Sequence, residues 1–174
     1  ILTSFVEDAR GLAGLYHPNV ANIIDRGVSD GMPFLVLEYL IGADLKQYSQ
    51  ARNMSLFELR QIVQESCAGL HALHAAGLVH RDIKPANIWL RLPLAGGERF
   101  DPHKHRDPAH VQPLSSVVID FGMVRAIRVA AEAGGRFVAG TAGYIAPEQV
   151  LDPVELDPRS DVYALAGTIY NATT

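Results

Sequence analysis

One octet constrains this chain more than any other stretch: His80-Arg81-Asp82-Ile83-Lys84-Pro85-Ala86-Asn87. Asp82, Lys84 and Asn87 set a carboxylate, a cation and an amide within six residues. The octet lies between apolar segments, so the fold must bring these polar groups to a site or satisfy them internally. The segment before it reads as the clearest helix, Ser55 to Gly77. Leu56, Leu59, Ile62, Val63, Cys67, Leu70 and Leu73 recur at helical spacing on one face. Ser55-Leu56-Phe57-Glu58 is a capping-box pattern, and Gly77 stands where a glycine would stop the helix. Downstream, Val117-Val118-Ile119 reads as a strand ending in Asp120-Phe121-Gly122, a second carboxylate with a glycine to turn the chain.

The remaining segments frame these motifs. Residues 4–16 read as a helix, with Phe5, Ala9, Leu12 and Leu15 or Tyr16 at spacings of three and four. His17-Pro18-Asn19 ends it, because the residue before a proline is pushed out of the helical region. Val20 to Val28 predicts a short strand, Ser29-Asp30-Gly31 a turn, and Phe34 to Leu40 a buried strand. Residues 91–114 hold four prolines and three histidines, which predicts a long surface loop. His103, His105 and His110 with Asp101 and Asp107 match no zinc spacing, so a solvated polar loop is the expectation there. Val162 to Tyr170 is apolar and helix-like. The chain of 174 residues is 48% apolar, enough for one core. Its formal charge of −4 argues against a nucleic-acid binder. Cys67 is the single cysteine. That excludes an intrachain disulfide and fits a reducing compartment, and its place on the apolar face predicts an inert core thiol. No apolar run approaches the roughly 18 residues that span a bilayer.

Two further motifs complete the pattern: Gly140-Thr141-Ala142-Gly143-Tyr144-Ile145-Ala146-Pro147-Glu148 and Ser160-Asp161-Val162-Tyr163-Ala164-Leu165. The octet, Asp120-Phe121-Gly122 and Ala146-Pro147-Glu148, in this order, resemble the protein kinases, specifically the bacterial eukaryotic-like Ser/Thr kinases. The resemblance implies an α+β, two-lobed fold, here truncated. Residues 1–37 would be the end of the small β-rich lobe, 38–44 the hinge, and 45–174 part of the helical lobe, with 91–114 inserted. It implies ATP with Mg²⁺ or Mn²⁺ and a protein substrate with Ser or Thr hydroxyls. Asp82 would orient the attacking hydroxyl and take its proton, and Lys84 would neutralise charge on the phosphoryl group. Asn87 and Asp120 would hold the metal through hard oxygens. The backbone of Glu38-Tyr39-Leu40 would read adenine, with Leu37 as gatekeeper and Asp44 at the ribose. Thr141 would shape the substrate groove. His80, Arg81, Phe121, Gly122, Glu148 and Asp161 would hold the loops. The kinase domain is expected in the cytoplasm, with or without a membrane anchor or sensor domain in the parent.

The pattern also departs from the family. No Gly-rich loop and no strand lysine precede the first helix, so the chain is expected to be an internal fragment of a domain of roughly 250 residues. It should bind ATP weakly and transfer phosphate poorly. Asp8 is the candidate for the helix acid that pairs with that lysine, with Glu7 one register away. Asn87 and Asp120 lie 120 − 87 = 33 residues apart, and the 91–114 loop supplies the excess. A pseudokinase used as a nucleotide-binding scaffold is the alternative reading, and a small-molecule kinase the third. Residues 123–140 contain no Ser, Thr or Tyr. Activation by phosphorylation of that stretch is therefore not expected. Phosphopeptide mapping of the active enzyme should find no modified residue between 123 and 140.

Overall fold

The computed structural model describes residues 14–30, 32–94, 98–105, 112–120, 141–151 and 157–174. Strands β1 (Ile23–Ser29) and β2 (Met32–Leu37) form an antiparallel two-stranded sheet. Ser29 pairs with Met32, and Asp30 takes φ +50° in the two-residue connection. A second sheet has the order β3 (Gly42–Asp44), β4 (Ile88–Arg91), β5 (Ser115–Val118), all antiparallel. Helix α1 is Leu45–Ala51, α2 is Leu56–Ala75, α3 is Pro147–Leu151 and α4 is Pro158–Thr173. The mixed α+β content agrees with the sequence reading.

The core lies where α1, α2 and α4 meet the three-stranded sheet. Leu45, Tyr48, Ile62, Leu73, Ile88, Leu90 and Val118 are all buried there. Helix α2 reaches its full length because both ends are specified locally. The Ser55 hydroxyl accepts from the Glu58 amide at 3.2 Å, and Glu58 Oε2 accepts from the Ser55 amide at 2.8 Å. At the other end Gly77 takes φ +75°, a conformation that strains any residue with a Cβ.

Several expectations change. The buried stripe of α2 is Glu58, Ile62, Ser66, Gly69, Leu70 and Leu73, whereas Leu56 is 84% exposed and Cys67 is exposed too. The stripe is rotated because Gly69, with no side chain, admits the backbone at Asn19. A Cβ at Gly69 would sit 2.4 Å from the Asn19 carbonyl oxygen. Cys67 is therefore not a core thiol. The segment expected as a buried strand over 34–40 is a strand only to Leu37, and Phe34, Val36 and Leu37 stay well exposed. Apolar sequence makes the strand, but burial needs a covering layer, and among the described residues β1 and β2 pack chiefly on each other. The strand expected from Val20 starts at Ile23, because Val20 instead bridges Val118 in parallel. The helix expected to reach Tyr16 does not, since residue 14 is a turn and 15–17 have no regular structure. Its earlier part, with Glu7 and Asp8, lies outside the described residues.

The 91–114 segment is less of a surface loop than expected. Leu92 is buried, and Phe100 packs on Tyr48 with ring centroids 6.0 Å apart. His105 stacks on Phe100 at 5.5 Å, and its Nδ1 accepts from the Asp101 amide at 2.9 Å. Asp107 and His110 lie outside the described residues.

Beneath this layer Glu58 carries a buried charge. Its Oε1 accepts from the Tyr48 hydroxyl and from Arg52, each at 2.8 Å. Burial pushes the Glu58 carboxyl up, but the Ser55 bonds, Tyr48 and Arg52 outweigh it and hold the group below its ordinary value. A carboxyl depressed in the folded state stabilises fully above its unfolded value, and loses that contribution as pH falls through the folded one. Glu58→Ala should cost about 3–5 kcal/mol at neutral pH, because it breaks a buried ion pair by removing one partner. Urea unfolding at several pH values checks this. The gap between the native protein and Glu58→Gln should narrow below the ordinary value of 4.5.

Candidate active site

The octet leaves α2 through Leu78 and Val79 and turns beneath α4. Its backbone is pinned by Asp161, a fully buried carboxylate near the start of α4. Asp161 accepts from the His80 amide at 2.8 Å and the Arg81 amide at 2.7 Å. His74 Nε2, from the last turn of α2, lies 2.8 Å from the same carboxylate. These bonds hold Arg81 at φ +67°, a left-handed conformation that costs a non-glycine residue about 1–2 kcal/mol. Burial lowers the Arg81 guanidinium pKa, and the Asp161 charge partly offsets this.

His80 is a bridge. Its Nδ1 accepts from the Asp82 amide at 3.3 Å, so Nε2 carries the proton and donates to the Ile119 carbonyl at 2.9 Å. Both ring nitrogens are engaged, which leaves His80 no free lone pair for base chemistry. This bond also docks the end of β5 on the octet. The Ile119 amide donates to the Asn87 carbonyl at 3.0 Å, which brings Asp120 beside Asn87. Asp120 is exposed, with φ +67°.

At the centre stands Asp82, 6% exposed. Lys84 Nζ donates to its Oδ2 at 2.6 Å, and the Thr141 hydroxyl donates to its Oδ1 at 2.8 Å. Lys84 also donates to the Thr141 oxygen at 2.9 Å, closing a three-membered ring of polar groups. Asn87 Nδ2 donates to the Asp82 carbonyl at 2.8 Å and to Oδ2 at 3.2 Å. Pro85 opens a single 3₁₀ turn (Pro85–Asn87), whose fixed φ sets the distance between Lys84 and Asn87. The amide nitrogen of Asn87 points at Asp82, which turns its side-chain oxygen the other way. That oxygen and the Asp120 carboxylate are hard donors on adjoining segments, and they fit a divalent cation such as Mg²⁺. A cleft of about 600 Å³ opens beside Lys84 and Thr141, lined also by Lys46, Pro85 and Tyr144.

The other expected residues are placed as follows. Glu38 follows β2, and its carboxylate is 2.9 Å from Arg91. Leu40 packs against the core. Asp44 caps α1 by accepting from the Gln47 amide at 2.7 Å. Glu148 accepts from the Ser160 hydroxyl at 2.9 Å, which ties α3 to α4. Phe121 and Gly122 lie outside the described residues. Three contributors had no sequence signal: His74 at Asp161, Gln149 near the Arg81 carbonyl, and Arg91. Each is a lone polar residue in an ordinary helix or strand, so only its partner in space marks it.

Comparison with known proteins places this geometry. A family model described as protein kinase domain matches residues 3–174. The chain is 34% identical over 174 residues to the serine/threonine-protein kinase PknL of Mycobacterium tuberculosis, covering 99% of this chain and 38% of PknL. It is 33% identical to the serine/threonine-protein kinase pkn3 of Myxococcus xanthus, covering 98% of this chain and 29% of that protein. The crystal structure of the Mycobacterium tuberculosis PknI kinase domain matches with a TM-score of 0.69 at 26% identity. That match covers 99% of this chain and 56% of the PknI chain. The chain thus spans well under half the length of these curated relatives. By sequence and by fold, it belongs to the protein kinase family, alongside bacterial serine/threonine kinases.

Proposed function

We propose that the protein carrying this chain transfers the γ-phosphate of ATP to Ser or Thr hydroxyls of proteins. One observation carries the reading: the hydroxyl, carboxylate and ammonium of Thr141, Asp82 and Lys84 meet within hydrogen-bond distance of one another. The Thr141 hydroxyl makes the bonds that a substrate hydroxyl would need. It donates its proton to Asp82 and receives a cation on its oxygen.

In the reaction, Asp82 aims a substrate hydroxyl and takes its proton as the new O–P bond forms. The bond from the γ-phosphorus to the bridging oxygen breaks, and ADP leaves. Lys84 stabilises negative charge on the phosphoryl oxygens, an effect that is large in a site shielded from water. Asn87 and Asp120 would hold Mg²⁺ or Mn²⁺, which neutralises phosphate charge when bound. The backbone of 38–40 would read adenine, with Asp44 near the ribose and its Oδ1 already capping α1. Thr141 would form the wall between the acceptor hydroxyl and the rest of the substrate. The lysine two residues after Asp82 favours Ser/Thr over Tyr as acceptor.

Two measurements test this on the full-length gene product. Asp82→Asn keeps the shape and loses the base, so phosphate transfer to a generic protein substrate should fall about 10²–10⁴-fold. Unchanged transfer would overturn the assignment. Asn87→Ala should raise the Mg²⁺ concentration needed for half-maximal rate, read from a metal titration at saturating ATP. An unshifted titration would remove Asn87 from the metal site.

A further inference from the structure

Arg91 lies at the far end of the strand that begins beside Asn87. Its backbone belongs to the three-stranded sheet, paired opposite Gly42, and its carbonyl accepts from the Leu114 amide at 2.8 Å. Its side chain leaves that sheet. One terminal nitrogen donates to Glu38 Oε2 at 2.9 Å, and the other donates to the Pro18 carbonyl at 3.2 Å. Glu38 is held from a second side as well. Its Oε1 accepts from the Asn22 amide at 3.0 Å, and its own amide donates to the Asn22 carbonyl at 2.9 Å. One residue beyond Arg91, the Leu92 amide donates to the Ile41 carbonyl at 3.2 Å.

These bonds close a bracket around residues 38–41, a segment with no helix or strand of its own. Its neighbours are the lead-in to β1 on one side and the end of β4 on the other. The guanidinium fork ties Glu38 to the Pro18 carbonyl, because it can donate in two directions at once. Strand β4 then has two jobs. Its start follows Asn87, and its end, about 13 Å away at the usual rise per residue, fixes Glu38.

We infer that Arg91 is a positioning residue for nucleotide recognition: through Glu38 it sets where the backbone of 38–40 stands relative to Asn87 and Asp120. The inference rests on the proposed reading of this site as an ATP site. It separates two quantities. A misplaced 38–40 backbone weakens nucleotide binding, while Asp82, held by Asn87 and Thr141, and Lys84, held by Asp82 and Thr141, keep their geometry. The Arg91–Glu38 pair is about 30% exposed on both sides, so its loss should act as a graded loss of affinity.

The experiment uses the full-length gene product and two readouts, steady-state phosphate transfer and direct binding of a fluorescent ATP analogue. Arg91→Met should raise KM for ATP and the analogue's Kd about fivefold, the upper range for a partly exposed pair, with kcat within about twofold. Glu38→Gln should do the same, since it keeps the acceptor for the Asn22 amide and loses the charge facing Arg91. The double variant should be no worse than Arg91→Met alone, because Glu38→Gln removes only the ion pair that Arg91→Met has already removed. Arg91→Lys should recover part of the loss. If Arg91→Met fails to fold, Arg91→Lys combined with Glu38→Gln carries the same cycle. Unchanged nucleotide affinity, a fall in kcat at constant KM, or additive effects would each overturn the inference. A native protein that binds the analogue but transfers no phosphate overturns the proposed reaction alone. One that binds no nucleotide overturns both.

Discussion

The carboxylate of Asp161 is the constraint on which the site depends. It is fully buried and accepts from two successive backbone amides and from the His74 ring. Hydrogen bonds to a charged group are worth about 1.5–3 kcal/mol each, enough together to offset the left-handed backbone at Arg81. That backbone reverses the chain after α2, and the reversal delivers Asp82 inward. From there the bonds propagate. The Asp82 amide orients His80, His80 holds Ile119, and Ile119 sets Asp120 beside Asn87. Asn87 and Ile119, 119 − 87 = 32 residues apart in the chain, therefore meet on a loop held by one acid near the start of a later helix.

A second buried acid supports the scaffold behind the site. Glu58 joins the start of α2 to Tyr48 and Arg52. Tyr48 in turn receives Phe100 from the long connection between β4 and β5. Burial and the Glu58 bond raise the Tyr48 hydroxyl pKa, so it stays a donor across the working pH range. The cleft beside Lys84 is lined partly by α1, so this layer shapes one of its walls.

Much of the site was legible because its chemistry is dense in sequence. Asp82, Lys84 and Asn87 are close along the chain, and a proline fixes the turn among them, so local geometry alone limits where they can go. The capping box at Ser55 and the stop at Gly77 were legible for the same reason, as both act within one helical turn. What could not be read depended on partners far along the chain. The apolar periodicity of α2 placed Cys67 inward, but the approach of Asn19 at Gly69 rotated the buried stripe. The apolar run ending at Leu40 suggested burial, yet a strand is covered only if another layer lies on it. Phe100 sits among prolines and polar residues, and nothing nearby announces that it belongs to the core.

The chain alone set the family and the order of the polar groups that gather around Asp82. Those depend on residue identity and short spacing, and backbone geometry converts short spacing into proximity. Packing fixed how the groups are oriented: the His80 Nε2 bond to Ile119, the seating of Ile119 on the Asn87 carbonyl, and the reach of Arg91 from one sheet to Glu38. Each of these is a hydrogen bond between segments distant in the chain. Such a bond depends on direction and distance in space, and neither is encoded until the core has packed.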